Sequence, residues 1–87
     1  MAHTIAMSAL RREESGYVAE LSAPPAIELR LRELGLVRGT RVTCVLQGPP
    51  GGLRAYLIRG ALIALRQADA RGIRLSRALP AGAGREP

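Results

Sequence analysis

Leu31-Arg32-Glu33-Leu34-Gly35-Leu36-Val37-Arg38-Gly39-Thr40-Arg41-Val42 decides how this chain folds. Leu31 and Leu34 are spaced i, i+3 and share one helical face. Gly35 follows them at the position where a residue with positive φ commonly ends a helix. Gly39 fits position i+2 of a type II turn, which again requires φ > 0. Val42 then opens a β-branched run. The stretch reads as a helix end, a stop, a turn and a strand start.

Working upstream, Ala26 to Leu34 suits a helix, with Ile27, Leu31 and Leu34 on one face and Glu28, Arg32 and Glu33 pointing away. Leu29 lies off that stripe and is expected to be partly exposed. Pro24-Pro25 fits a helix start, where the missing N–H is not needed. Tyr17 to Leu21 alternates as a first strand. Met1 to Glu14 has no clear period and is expected to be a flexible segment, with Leu10 tucked against the domain; Met7-Ser8 offers a second candidate start.

Downstream, Arg41 to Gln47 reads as a second strand, with Val42, Cys44 and Leu46 on one face. Gly48-Pro49-Pro50-Gly51-Gly52 is a breaker cluster and a hairpin loop. Leu53 to Ile58 is a third strand, and Arg59-Gly60 a tight hairpin link. Ala61 to Leu65, apolar throughout, is expected to be a buried fourth strand. Gln67 to Arg71 gives one helical turn, and Ile73 to Ser76 a short fifth strand. Residues 80–87, rich in Gly, Ala and Pro, read as a disordered tail. This leaves residues 15–79 as the domain, with Gly35, Gly39, Gly51 and Gly60 as turn positions. The fold class is mainly β: five short strands closing into a small barrel that removes exposed edges, with one short α-helix between strands one and two.

Eighty-seven residues make one domain with one modest core. The chain has no Trp, no Phe and two tyrosines (Tyr17 and Tyr56), so that core is aliphatic. All 13 basic residues are arginine and the net charge is +6. That favours acidic partners, nucleic acid or an anionic membrane face, although the arginines are dispersed and also serve to solubilise the surface. The single cysteine, Cys44, fits a reducing compartment. The longest apolar run, Ala61 to Leu65, is far short of the ~20 residues that span a bilayer. With no signal-peptide pattern at the N-terminus, a cytoplasmic location without membrane insertion is expected.

The motifs resemble FeoA-type proteins, small cytosolic accessory proteins of bacterial ferrous iron transport. The resemblance is carried by Gly16-Tyr17-Val18, Arg30-Leu31, Glu33-Leu34-Gly35-Leu36, Gly39-Thr40 with Val42, Pro49-Pro50-Gly51, Gly60, Ile63-Ala64-Leu65-Arg66, Ala68, Ala70, Ile73 and Leu75. It spans about Gly16 to Leu79. The chain departs from the common pattern at Arg38, where such proteins usually have Pro, at Gly52-Leu53-Arg54 in the hairpin loop, and at Arg12-Glu13. The resemblance implies an SH3-like barrel and a non-enzymatic, regulatory role. The partner would be the cytosolic G-protein domain of the membrane iron transporter. The same domain type also ends some metal-dependent repressors, so a stand-alone relative of that repressor domain is an alternative. A charge-driven nucleic-acid-associated barrel is another. Nucleic acid is the less favoured partner, because stacking aromatics are missing; a homo-oligomer stays open.

The residues give no chemistry of their own. Only His3 and Cys44 are good soft or borderline metal ligands, and structural zinc needs four ligands. Cys44 alternates with Val42 and Leu46 and reads as a small core residue. No catalytic residue, no metal residue and no cofactor is assigned, beyond weak or adventitious divalent metal at His3, Glu13 and Glu14. The breaker loop has no Lys-Ser/Thr after it and is no phosphate cradle. A groove for Pro-rich peptides would need aromatic walls that this chain lacks. What remains is a partner surface of Leu29, Arg30, Arg32, Arg38, Leu53, Arg54 and Arg66, with basic residues meeting acidic ones and leucines as anchors. Titration of the protein with Fe²⁺ or Zn²⁺ by calorimetry is expected to show nothing tighter than micromolar; a tighter isotherm would contradict this reading.

Overall fold

Hydrogen bonds at the helix end set the path of the chain. In the computed structural model, which describes residues 3–78, helix α1 spans Pro25–Glu33 with Pro at its start. The Leu36 N–H donates to the Leu31 carbonyl at 3.0 Å and the Gly35 N–H to the Arg32 carbonyl at 2.9 Å. With Gly35 at φ +101°, this is a Schellman closure, and its two leucines, Leu31 and Leu36, are both buried. Gly39, at φ +93°, makes the next turn, closed by the Thr40 N–H on the Val37 carbonyl at 2.9 Å. The buried Thr40 hydroxyl donates to the Gly35 carbonyl at 2.9 Å and accepts from the Val37 N–H at 3.2 Å. One side chain thus bridges both turns. The hinge is tied to strand β2 (Ser15–Leu21) by Gly39 N–H to Val18 carbonyl, 2.7 Å, and Val18 N–H to Thr40 carbonyl, 2.9 Å.

The strands are β1 (Thr4–Ala6), β2, β3 (Arg41–Gln47), β4 (Leu53–Ile58), β5 (Ala61–Arg66) and β6 (Ile73–Ser76); a 3₁₀ turn at Met7–Ala9 and a short helix α2 at Gln67–Ala70 complete the described elements. They form one antiparallel sheet in the order β1-β6-β2-β3-β4-β5. Among the described residues the sheet therefore has six strands where the sequence pattern suggests five, and its terminal strands do not meet, so it is not a closed barrel. The extra strand comes from the segment expected to be flexible. Three residues are too few to display a period, yet Thr4 to Ala6 pair with Ser76 to Arg74, and Met7 and Leu10 are fully buried. Consequently β6 lies inside the sheet, and the free edges belong to β1 and β5. The tail expected over 80–87 lies outside the described residues.

Two further expectations change. Leu46 does not share the inner face of Val42 and Cys44 and is 56% exposed. A bulge between Cys44 and Leu46 opposes Cys44 to Tyr56 but Leu46 to Ala55, and one inserted residue flips every side chain beyond it. Strand β5 is not buried: Leu62 is 65% exposed, because β5 ends the sheet and only Leu65 and, partly, Ile63 face the core. The core itself is aliphatic around Val18, Leu31, Leu36, Val42, Ile58, Ile73 and Leu75, with Tyr56 and Cys44 among them.

Replacing Thr40 by Val keeps the shape and deletes both hinge bonds. The expected loss is about 1–3 kcal/mol, read as a lower urea midpoint at unchanged m value.

Candidate partner-docking surface

Helix geometry separates the arginines before any contact is considered. Residues two apart on an α-helix point about 200° away from each other, so Arg30 and Arg32 cannot lie on one side of α1. Arg30 joins Leu53 and Arg66 in a groove of about 230 Å³ between α1, the start of β4 and the end of β5; Ile27, Leu31, Ala64, Leu65 and Asp69 complete its lining. Arg32 and Arg38 line a different groove, of about 400 Å³, with Glu20, Leu21, Glu28 and Val37. There Arg32 pairs with Glu28 at 2.8 Å, an i, i+4 contact on the helix surface of small worth to stability. Leu29 is 60% exposed and lines neither. A third depression, about 360 Å³, holds Arg41, Thr43, Leu57, Arg59 and Gly60.

Arg54 turns inward. Its Nε donates to the Tyr56 hydroxyl at 3.1 Å and its Nη2 to the Leu10 carbonyl at 2.7 Å. The Tyr56 hydroxyl donates to the Met7 carbonyl at 3.2 Å, and Gln47 Nε2 reaches the Leu10 carbonyl at 2.9 Å. The seven residues therefore do not form one surface: Arg30, Leu53 and Arg66 converge, Arg32 and Arg38 converge elsewhere, and Arg54 holds the interior together. The signal for Arg54 was present, since alternation along β4 puts it on the side of Tyr56 and Ile58.

Burial pushes the Tyr56 hydroxyl above its ordinary value, against the opposing pull of Arg54. Glu14 is held below the usual carboxylate range, first by the Arg11 backbone N–H, which donates to it at 2.8 Å, and also by the Arg77 charge. Among the described residues no three of His, Cys, Asp and Glu come together, and the Cys44 thiol is buried. No helix among them is long and apolar enough to cross a membrane.

An open antiparallel sheet carrying one nine-residue helix and one single-turn helix, an aliphatic core and arginine-rimmed grooves defines a small β domain of SH3-like type. The particular family follows from comparison. The FeoA domain profile matches residues 5–77, and the chain belongs to the FeoA domain family. Stenotrophomonas maltophilia FeoA, solved with zinc and described as a prokaryotic SH3 domain protein and a candidate bacterial ferrous iron transport activating factor, is 35% identical; the match covers 85% of this chain and 89% of that one, with a TM-score of 0.69. Chlorobium tepidum FeoA is 30% identical over 91% of this chain and 76% of that one, TM-score 0.77. A manganese-dependent transcriptional repressor shares the fold at TM-score 0.82 and 20% identity; the match covers 90% of this chain but only 44% of the repressor. No curated protein matches by sequence.

The raised Tyr56 value fixes a pH dependence. Below pH 10, the ordinary value, the hydroxyl is neutral in both folded and unfolded chains. As pH rises from there through the raised folded value, the unfolded state ionises first and stability is lost. Urea midpoints are expected to fall more steeply above pH 10 in the parent than in Tyr56→Phe; equal slopes would show that Tyr56 is not the titrating group.

Proposed function

We propose that this chain is an accessory, regulatory protein of bacterial ferrous iron transport that docks onto the cytosolic G-protein domain of the membrane iron transporter. Membership of the FeoA family over residues 5–77 carries the reading. The Stenotrophomonas maltophilia relative, described as a candidate ferrous iron transport activating factor, supports it. The likeness to the repressor is one of fold and carries no partner. The role is cytoplasmic and asks for neither cofactor nor catalysis by this chain. Leu53 and its apolar neighbours offer anchoring area, and Arg30 and Arg66 beside them offer steering charge. This groove brings apolar side chains and a net positive charge together.

Tagged protein is expected to retain the transporter's soluble G domain, with retention weakening as salt rises. Deletion of the gene is expected to lower ferrous iron uptake. No retention, together with unchanged uptake and unchanged GTP turnover, would sink the proposal.

A further inference from the structure

Among the described residues, strand β5 is bonded to β4 alone and ends the strand order. The two-residue Arg59-Gly60 turn makes Ile58 and Ala61 a hydrogen-bonded pair, and bonded pairs alternate from there along the ladder. The unbroken register brings the same parity to Gln67, whose N–H donates to the Gly52 carbonyl at 3.0 Å. The amides and carbonyls of Leu62, Ala64 and Arg66 therefore point away from β4, and all three residues are exposed. Natural edges are usually blunted by charge, proline or a bulge. From Ala61 to Leu65 this edge has none of these.

The end of this edge borders the groove of about 230 Å³: Ala64 and Arg66 line it together with Ile27, Leu31, Leu53 and Arg30. Its charged groups are Arg30, Arg66 and Asp69, a net positive set. Among the described residues neither Arg30 nor Arg66 takes part in an ion pair; Arg32–Glu28 and Arg77–Glu14 lie elsewhere. A second copy, itself at +6, is the wrong charge for this edge. An acidic chain is the right one.

We infer that β5 is a strand-addition site for an extended, acidic segment of a partner protein. The segment pairs with the outward amides and carbonyls of Leu62, Ala64 and Arg66. One of its apolar side chains enters the groove, and its carboxylates face Arg30 and Arg66. Main-chain bonds give such docking its affinity and the flanking pocket its specificity. This names the chemistry of the partner in the docking reading above and rests on that reading.

The probe is a fluorescein-labelled peptide, blocked at both ends, in which glutamate alternates with valine, titrated with the full-length protein by anisotropy at low salt. It is expected to bind, whereas the same peptide with lysine for glutamate does not. N-methylation of alternate peptide amides is expected to weaken binding by about tenfold or more, and so are Arg30→Glu and Arg66→Glu at unchanged circular dichroism. Ala64→Pro removes an outward amide and no β4 bond; the N-methylated peptide probes the same contact without altering the protein. Equal binding of the lysine or N-methylated peptides, or none by the parent peptide, overturns the inference. G-domain retention that survives the Arg30→Glu, Arg66→Glu double variant also overturns it, while leaving docking intact. Peptide binding without G-domain retention upholds the edge site and removes the named partner instead.

Discussion

A tyrosine hydroxyl with no access to solvent must find its partner inside the protein. Tyr56 is fully buried, and it is the one aromatic side chain in a core otherwise built of aliphatic residues, Met7, Cys44 and Ala70. Its hydroxyl finds the Met7 carbonyl, while Arg54 and Gln47 both donate to the Leu10 carbonyl. Three side chains from β3 and β4 thus grip the Met7–Leu10 segment by its backbone. The segment in return seats Met7 and Leu10 in the core. In a core with few aromatics this plug adds two large, fully buried side chains. Among the described residues no buried side-chain nitrogen or oxygen lacks a partner, so the arrangement leaves no polar debt in the interior.

Local features were legible and distant ones were not, for a physical reason. The hinge could be read because its bonds span a few residues: Leu36 to Leu31, Gly35 to Arg32, Thr40 to Val37. Glycine at a positive-φ position leaves a mark in the sequence whatever the rest of the chain does. The plug is held across 37 to 49 residues, and its own three-residue strand is too short to show alternation. Nothing local in Met1 to Glu14 reports that Tyr56 will need the Met7 carbonyl.

The misplaced leucines follow the same logic. Parity puts Leu46 with Val42 and Cys44, and parity holds only while the register is unbroken; the bulge before Leu46 is set by how β3 meets β4. The apolarity of Ala61 to Leu65 does not distinguish a central strand from an edge, since strand order is a property of the whole sheet. The candidate site was legible to a similar depth. Of the surface expected from the sequence, Arg30, Leu53 and Arg66 converge in one groove. The split between Arg30 and Arg32 was available from helical geometry alone, and the inward turn of Arg54 from alternation with Tyr56.

The plug and the open edge are consequences of one choice of topology. Had β1 paired with β5, the barrel would have no edges, and the groove beside α1 would offer side chains but no backbone donors or acceptors. Instead β1 pairs with β6, on the far side of the strand order from β5. The core is then sealed by the Met7–Leu10 backbone held under Tyr56 and Arg54, a seal that uses side chains and leaves the β5 ladder unused. Arg54 and Arg66 lie on neighbouring strands and take opposite tasks. The first faces inward and fixes the plug; the second is exposed at the end of the free edge, beside Arg30 across the groove. Holding the half-buried Arg54 cation against the Leu10 carbonyl thus goes with a sheet that remains open, and the openness is what gives the outer arginines a strand to flank.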